Sequence, residues 1–300
     1  MIVRCLIGLL ALTTVGCAPS FYAKPPPGAP AGARFVRVSG IDVHYTDSGG
    51  GGPAVVLAHG FGSSLEIWNS VVARLAPTHR VIALDLKGFG YSGRPVGDYS
   101  PAAQAELIAG LLDELGIDKV SIVSHSWGSS VALAFALAHP RRVRKLALYS
   151  AYVYEAQVPS FFLWARVGGL GELLFALYYT ERIEDRVPLA YHDRRFATQQ
   201  RVEYVERELE RPGAVAAALA SVRGQRYTHV EKLYGRIGVP VLLLWGREDR
   251  VTPLRFGERL SAQLPNATLK VYPQCGHVPM IEAVVPSTRD LVRFLAKDSQ

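Results

Sequence analysis

The sequence predicts an α/β fold in which a mostly parallel central sheet is flanked by helices and interrupted by an inserted helical lid. Three observations predict it. Short continuous apolar runs, such as Ala54-Val55-Val56-Leu57-Ala58, read as strands buried on both faces, the habit of parallel sheets. Helical stretches alternate with these runs at the spacing of βαβ units. The alternation then stops over residues 153–236, which read as helical and are crowded with aromatics, before it resumes at residue 239.

Composition sets the outer bounds. Three hundred residues, 49% hydrophobic and 20% charged, suit one large domain with an insertion and exclude a disordered chain. The net charge of +7 is spread out. The basic run at Arg141, Arg142, Arg144 and Lys145 has no interleaved aromatics, so nucleic acid is not an expected partner. The cysteines are Cys5, Cys17 and Cys275; they show no metal-ligand spacing, and no cofactor motif stands elsewhere.

The chain opens with a short positive segment, Met1 to Arg4, then an apolar run over residues 5–15 that ends in Gly16-Cys17. This run is too short to span a bilayer comfortably and fits an export signal. A small residue before Cys17 resembles the processing site of bacterial lipoproteins, with Thr14 where leucine is usual. The resemblance implies that residues 1–16 are removed and Cys17 is lipidated. With Ala18 next, it also implies an exported, outer-membrane-anchored protein. The alternative is a plain cleaved signal or an uncleaved anchor on a periplasmic or secreted protein. With Cys17 lipidated, Cys275 is the one unmodified cysteine of the mature chain, and no disulfide can form within it. Residues 18–33 are a Pro/Gly/Ala tether without a packing face.

Taken in order, residues 34–38 and 41–46 read as strands joined by a Ser39-Gly40 turn, and 54–58 as the first buried strand. A helix over 65–75 and a strand over 80–84 follow. The glycine-rich loop 85–95 has neither the spacing of a dinucleotide site nor the Lys-Ser/Thr ending of a P-loop. A helix over 101–115 stops at Gly116. Strands are expected at 120–123, 143–150, 239–245 and 269–272, and helices at 254–263 and from about 281 to 297. The resulting division is 34–152 and 237–300 for the core and 153–236 for the lid.

Ser124-His125-Ser126-Trp127-Gly128 sits between the strand at 120 and a small-residue helix, with Ser126 at the apex of a sharp turn. This has the form of a nucleophile elbow, with Ser124 at the position usually held by glycine. Asp249 lies in the loop after the strand at 239–245, and His277 in the loop after the next strand. In open α/β sheets chemistry gathers at that edge. The order Ser126, Asp249, His277 is the triad order of one hydrolase class.

Together with His59-Gly60-Phe61-Gly62, the loop 85–95 and Gly246 to Pro253, these motifs make the chain resemble the lidded α/β-hydrolases from Arg34 onward. That group includes small esterases, carbon–carbon bond hydrolases, epoxide hydrolases and dehalogenases. The resemblance implies Ser126 as nucleophile, His277 as base, Asp249 as its orienting acid, and the Phe61 and Trp127 backbone N–H groups as an oxyanion hole. Serine at the elbow excludes the last two chemistries, which use aspartate there. The expected function is therefore a serine hydrolase that cleaves small or medium apolar carboxylic esters through an acyl-enzyme. One alternative is a carbon–carbon hydrolase of ring-cleavage diketones, although residues 153–236 show no polar cradle for a dicarboxylate and export argues against a cytoplasmic catabolic step. The other is a non-catalytic surface protein. His59, Asp85 and Arg94 read as loop braces, Glu248 as the competitor of Asp249, and Cys275 as a space-filler. His125 reads equally as a substrate contact or a packed side chain.

Overall fold

The computed structural model describes residues 29, 30 and 33–296; the signal-like segment with Cys17, and most of the 18–33 stretch, lie outside the described residues. Eight strands form one sheet: β1 (Arg34–Val38), β2 (Ile41–Asp47), β3 (Ala54–Ala58), β4 (Arg80–Leu84), β5 (Val120–His125), β6 (Val143–Tyr149), β7 (Val241–Gly246) and β8 (Ala267–Tyr272). Their spatial order is β1-β2-β4-β3-β5-β6-β7-β8. The first two strands run antiparallel to their neighbours, and β4 through β8 pair in parallel. β5 and β7 are buried at every residue, which is why their sequences are continuous rather than alternating.

Helices α1 (Asn69–Leu75), α2 (Pro101–Glu114) and α3 (Gly128–Ala138) connect the first half of the sheet. Ser100 caps α2 by accepting from the Ala103 N–H, Pro101 opens it, and Gly116 at φ +65° follows its end. The lid holds α4 (Ser160–Ala165), α5 (Leu170–Leu174) with a π-turn at Phe175–Tyr179, α6 (Ile183–Arg186), α7 (Gln199–Glu210) and α8 (Ala214–Gly224). Among the described residues no strand interrupts it. The lid has its own small core of Ala165, Phe175, Tyr179, Ala218, Leu219 and Val222. The chain closes with α9 (Leu254–Gln263), α10 (Pro279–Glu282) and α11 (Val284–Ala296).

Several expected boundaries move: β5 runs on to His125 rather than 123, and β8 starts at Ala267 rather than 269. The strand expected from residue 239 begins at Val241, because Pro240 has no N–H to give the ladder. The helix expected over 65–75 opens with a 3-10 turn at Leu65–Trp68. The single terminal helix is two, broken at Ala283. Pro286 in the first turn of α11 has no N–H for the Glu282 carbonyl and crowds it.

Candidate active site

The elbow is set by sterics. Ser126 follows β5 with φ +51°, a left-handed conformation that a non-glycine residue adopts only under strain. Its N–H donates to Tyr149 O at 2.9 Å, and its carbonyl accepts from Ser129 and Tyr152 at 2.9 and 3.1 Å. A Cβ at Gly128 would run into the carbonyl oxygens of Ala58 and His59, so only glycine lets α3 start this close to β3. Ser124 is tolerated two residues before Ser126, fully buried, with its hydroxyl donating to Ser129 Oγ at 3.1 Å. Ser126 itself is 8% exposed.

Asp249 and His277 are brought together from the ends of β7 and β8. His277 Nδ1 donates to Asp249 Oδ2 at 2.9 Å. Thr252 Oγ1 donates to the same oxygen at 2.7 Å, while the N–H groups of Val251 and Thr252 donate to Oδ1 at 2.9 and 2.8 Å. Burial pushes the Asp249 carboxyl up, but the imidazole and these hydrogen bonds overrule it and hold it below the ordinary carboxylate value. Its competitor Glu248 points elsewhere and accepts from Cys275 N–H at 3.0 Å. Cys275 is buried, and burial pushes its thiol up, away from the reactive thiolate.

The remaining candidates are braces. His59 is fully buried; Leu86 N–H donates to its Nε2 at 3.0 Å, so Nδ1–H donates to Gly60 O at 2.7 Å, and burial keeps the ring neutral. Asp85 accepts from the N–H groups of Leu65 and Tyr91 and from His44 Nδ1, all within 2.8 Å. Arg94 ties down Gly90 O and Ser92 O. His125 resolves to a packed role: its Nε2–H donates to His277 O at 2.9 Å, and burial, with His277 alongside, drops its pKa to about 3. The two rings lie 4.7 Å apart, which places the base loop against the elbow.

Phe61 lies in the loop after β3, and the neighbouring Gly60 packs so closely that a Cβ there would sit 3.1 Å from Ser126 Cβ. Among the described residues neither Phe61 N–H nor Trp127 N–H donates to a backbone acceptor. The Phe61 ring meets Phe89, Trp127, Phe162 and Tyr179 edge-on, with centroids 5.4 to 6.2 Å apart, so the lid and core share one aromatic wall. A narrow cavity behind this wall is lined by Gly62, Phe89, Gly90, Tyr179, Glu208 and Ala218. Glu208 Oε1 accepts from Arg211, its Oε2 is buried without a partner, and burial pushes the carboxyl up.

Sequence reasoning missed Thr252 and Glu282. Thr252 is recoverable from the Asp-x-x-Thr spacing, which lets one side chain cap the turn that another begins. Glu282 has no such signal. It accepts from Gly276 N–H at 2.8 Å and from His192 and Asp193 N–H at 2.8 and 3.2 Å, joining the base loop to the lid. His277 N–H adds a bond to Ala190 O at 2.7 Å.

Residues 53–284 match the family model for the alpha/beta hydrolase fold. The chain belongs to the α/β-hydrolase family. This hydrolase is 32% identical to 2-hydroxymuconate semialdehyde hydrolase of Pseudomonas putida, over 91% of its own length and 97% of that protein. The solved meta-cleavage product hydrolase of Pseudomonas fluorescens IP01 matches it with TM-score 0.73 and 25% identity, covering 87% and 97% of the two chains. A thermophilic esterase from Thermogutta terrifontis matches with TM-score 0.72 and 26% identity, covering 88% and 98%. The hydrolase is an enzyme of this fold, with a serine-hydrolase type of site. It stands closer to the meta-cleavage-product hydrolases than to simple small-ester esterases, which reverses the order of the two enzymatic readings expected from sequence.

Proposed function

We propose that this hydrolase cleaves a carbon–carbon bond beside a ketone in ring-cleavage diketones, with Ser126 as nucleophile, His277 as base and Asp249 as its orienting acid. Ser126 Oγ attacks the carbonyl as His277 takes its proton, and the N–H groups of Phe61 and Trp127 hold the oxyanion. The carbon–carbon bond breaks, and the departing carbon leaves as an enolate that recovers the proton from His277. Water then hydrolyses the acyl-serine, so that the net change is addition of one water across the broken bond. The observation that carries this reading is the resemblance to such hydrolases over nearly their whole length, joined to a closed Asp249–His277 pair.

The lid's Arg166, Arg211 and Arg223 are each committed to a carboxylate, on Glu155, Glu208 and Glu172. Ester cleavage is the second reading, favoured by the aromatic wall around Phe61. Turnover of a ring-cleavage diketone, followed by loss of its chromophore, is compared with turnover of an acyl-ester series. A kcat/KM for the best ester more than a hundredfold above that for the diketone overturns the carbon–carbon reading. Failure of a fluorophosphonate to label Ser126 overturns both.

We further infer export and lipid attachment at Cys17, supported by the short apolar run, the small residue before the cysteine and the proline-rich stretch after it. Intact mass of the membrane fraction tests this. A mature chain that starts elsewhere, without added lipid mass, refutes it.

A further inference from the structure

The lid carries an outward face that its own packing does not use. In α4, α5 and the π-turn, Ala165, Gly171, Phe175 and Tyr179 are buried. The same stretch turns Trp164, Val167, Leu170, Leu173, Leu177 and Tyr178 to solvent at helical spacing, with Trp164 and Tyr178 each 59% exposed and Leu173 55%. Helices that are apolar all round belong in a protein core or against a membrane. Between residues 163 and 178 the charged side chains are Arg166 and Glu172, and both are neutralised, by Glu155 and Arg223. A contiguous apolar patch of this kind on a soluble surface marks a contact site.

We propose that this face docks on a lipid bilayer, with Trp164, Leu173, Leu177 and Tyr178 at the boundary between headgroups and acyl chains. The chain ahead of the body argues for that occupant: a basic start, an apolar run over residues 5–15, and a stretch over 18–33 with no packing face. Fully stretched, residues 18–33 can reach about 50 Å, and a body of this size is roughly 45–50 Å across. A lipid on Cys17 at the head of this stretch would therefore hold the chain at a membrane and leave the body free to turn its lid to the surface. Tryptophan and tyrosine favour that boundary, and the net charge of +7 suits an anionic surface. The inference goes beyond the proposed reaction and is independent of which bond is cleaved.

Trp164 supplies the test, because Trp68, Trp127 and Trp245 are buried. The full chain carrying Cys17→Ser, which removes any lipid attached there, is mixed with phosphatidylethanolamine–phosphatidylglycerol vesicles whose acyl chains are brominated near the headgroup. Docking predicts a blue shift and quenching that Trp164→Phe abolishes. Changing Leu170, Leu173 and Leu177 together to Ser should lower vesicle partitioning by about tenfold or more and leave melting unchanged. Vesicle binding without quenching of Trp164 overturns the proposal, since the leader alone then holds the chain. Absence of vesicle binding overturns it too. So does a lipid-free dimer that the triple change dissolves while Trp164 stays unquenched, which would make a second copy the occupant.

Discussion

Asp249→Asn tests the site through the proton on His277. In the native site Oδ1 accepts from the Val251 and Thr252 N–H groups, and Oδ2 accepts from Thr252 Oγ1 and His277 Nδ1. An asparagine must put its carbonyl oxygen where the two N–H groups point, so its NH2 group takes the place of Oδ2. That group donates to Nδ1 and moves the imidazole proton to Nε2, where the ring can no longer accept from a serine. Flipping the amide would leave two buried donors facing a donor, at a cost of about 2–6 kcal/mol. The productive orientation is then populated between about one part in 30 and one in 10⁴. The imidazolium also loses its counter-charge, so kcat should fall by roughly 10³ to 10⁴. Steady-state turnover of the better substrate, corrected for sites titrated by fluorophosphonate and paired with a melting curve, measures this. A loss below tenfold in folded protein would refute Asp249 as the orienting group, and a parallel collapse in Glu248→Gln would transfer the role.

The other expectations are more local. Ser126→Ala should lower turnover by several powers of ten, to the level left by binding alone, and leave the melting curve nearly unchanged; wild-type single-turnover rates would remove the nucleophile assignment. Gly128→Ala should cost about 1–3 kcal/mol or abolish folding, because its methyl meets the Ala58 and His59 carbonyls; an unchanged denaturation midpoint contradicts the packing. Ser124→Gly restores the usual elbow residue, yet should destabilise by about 1 kcal/mol through the lost Ser129 bond and the looser strand. Glu208 has a raised pKa in the fold, so its contribution is complete below the ordinary carboxylate value and is lost as pH rises through the raised one. Glu208→Gln should therefore flatten the decline of melting temperature from pH 5 to 8, and an identical slope in both proteins counts against a buried, strained carboxyl.

The sheet was legible because burial on both faces writes itself as unbroken apolar sequence: Ala54–Ala58 and Arg80–Leu84 fall where expected. Asp249 and His277 were expected in the loops after the last two strands and meet there, because strand ends in this topology converge on one edge, and Ser126 stands at the turn after β5. What stayed hidden depends on contacts between distant segments. Glu282 bonds to His192 from ninety positions away, and nothing in the local sequence of either announces it. The lid's short helices were equally opaque. Residues of α4 and α5 are apolar on both faces, so no periodicity separates inside from outside. Cys17 and its surroundings lie outside the described residues, and the expectation there rests on sequence.

The bond from His277 N–H to Ala190 O has a consequence for how this enzyme fails. Glu282 reinforces it by gripping the lid at His192 and Asp193 and the base loop at Gly276. Local opening of a small peripheral segment takes less free energy than melting a central sheet. Warming should therefore release the strap around Ala190 first and free the loop that carries the imidazole. A heated sample would then keep its circular dichroism and have no turnover, and it would regain activity on cooling. Its working ceiling should then be set by one strap of the lid, beneath the point at which the eight strands come apart.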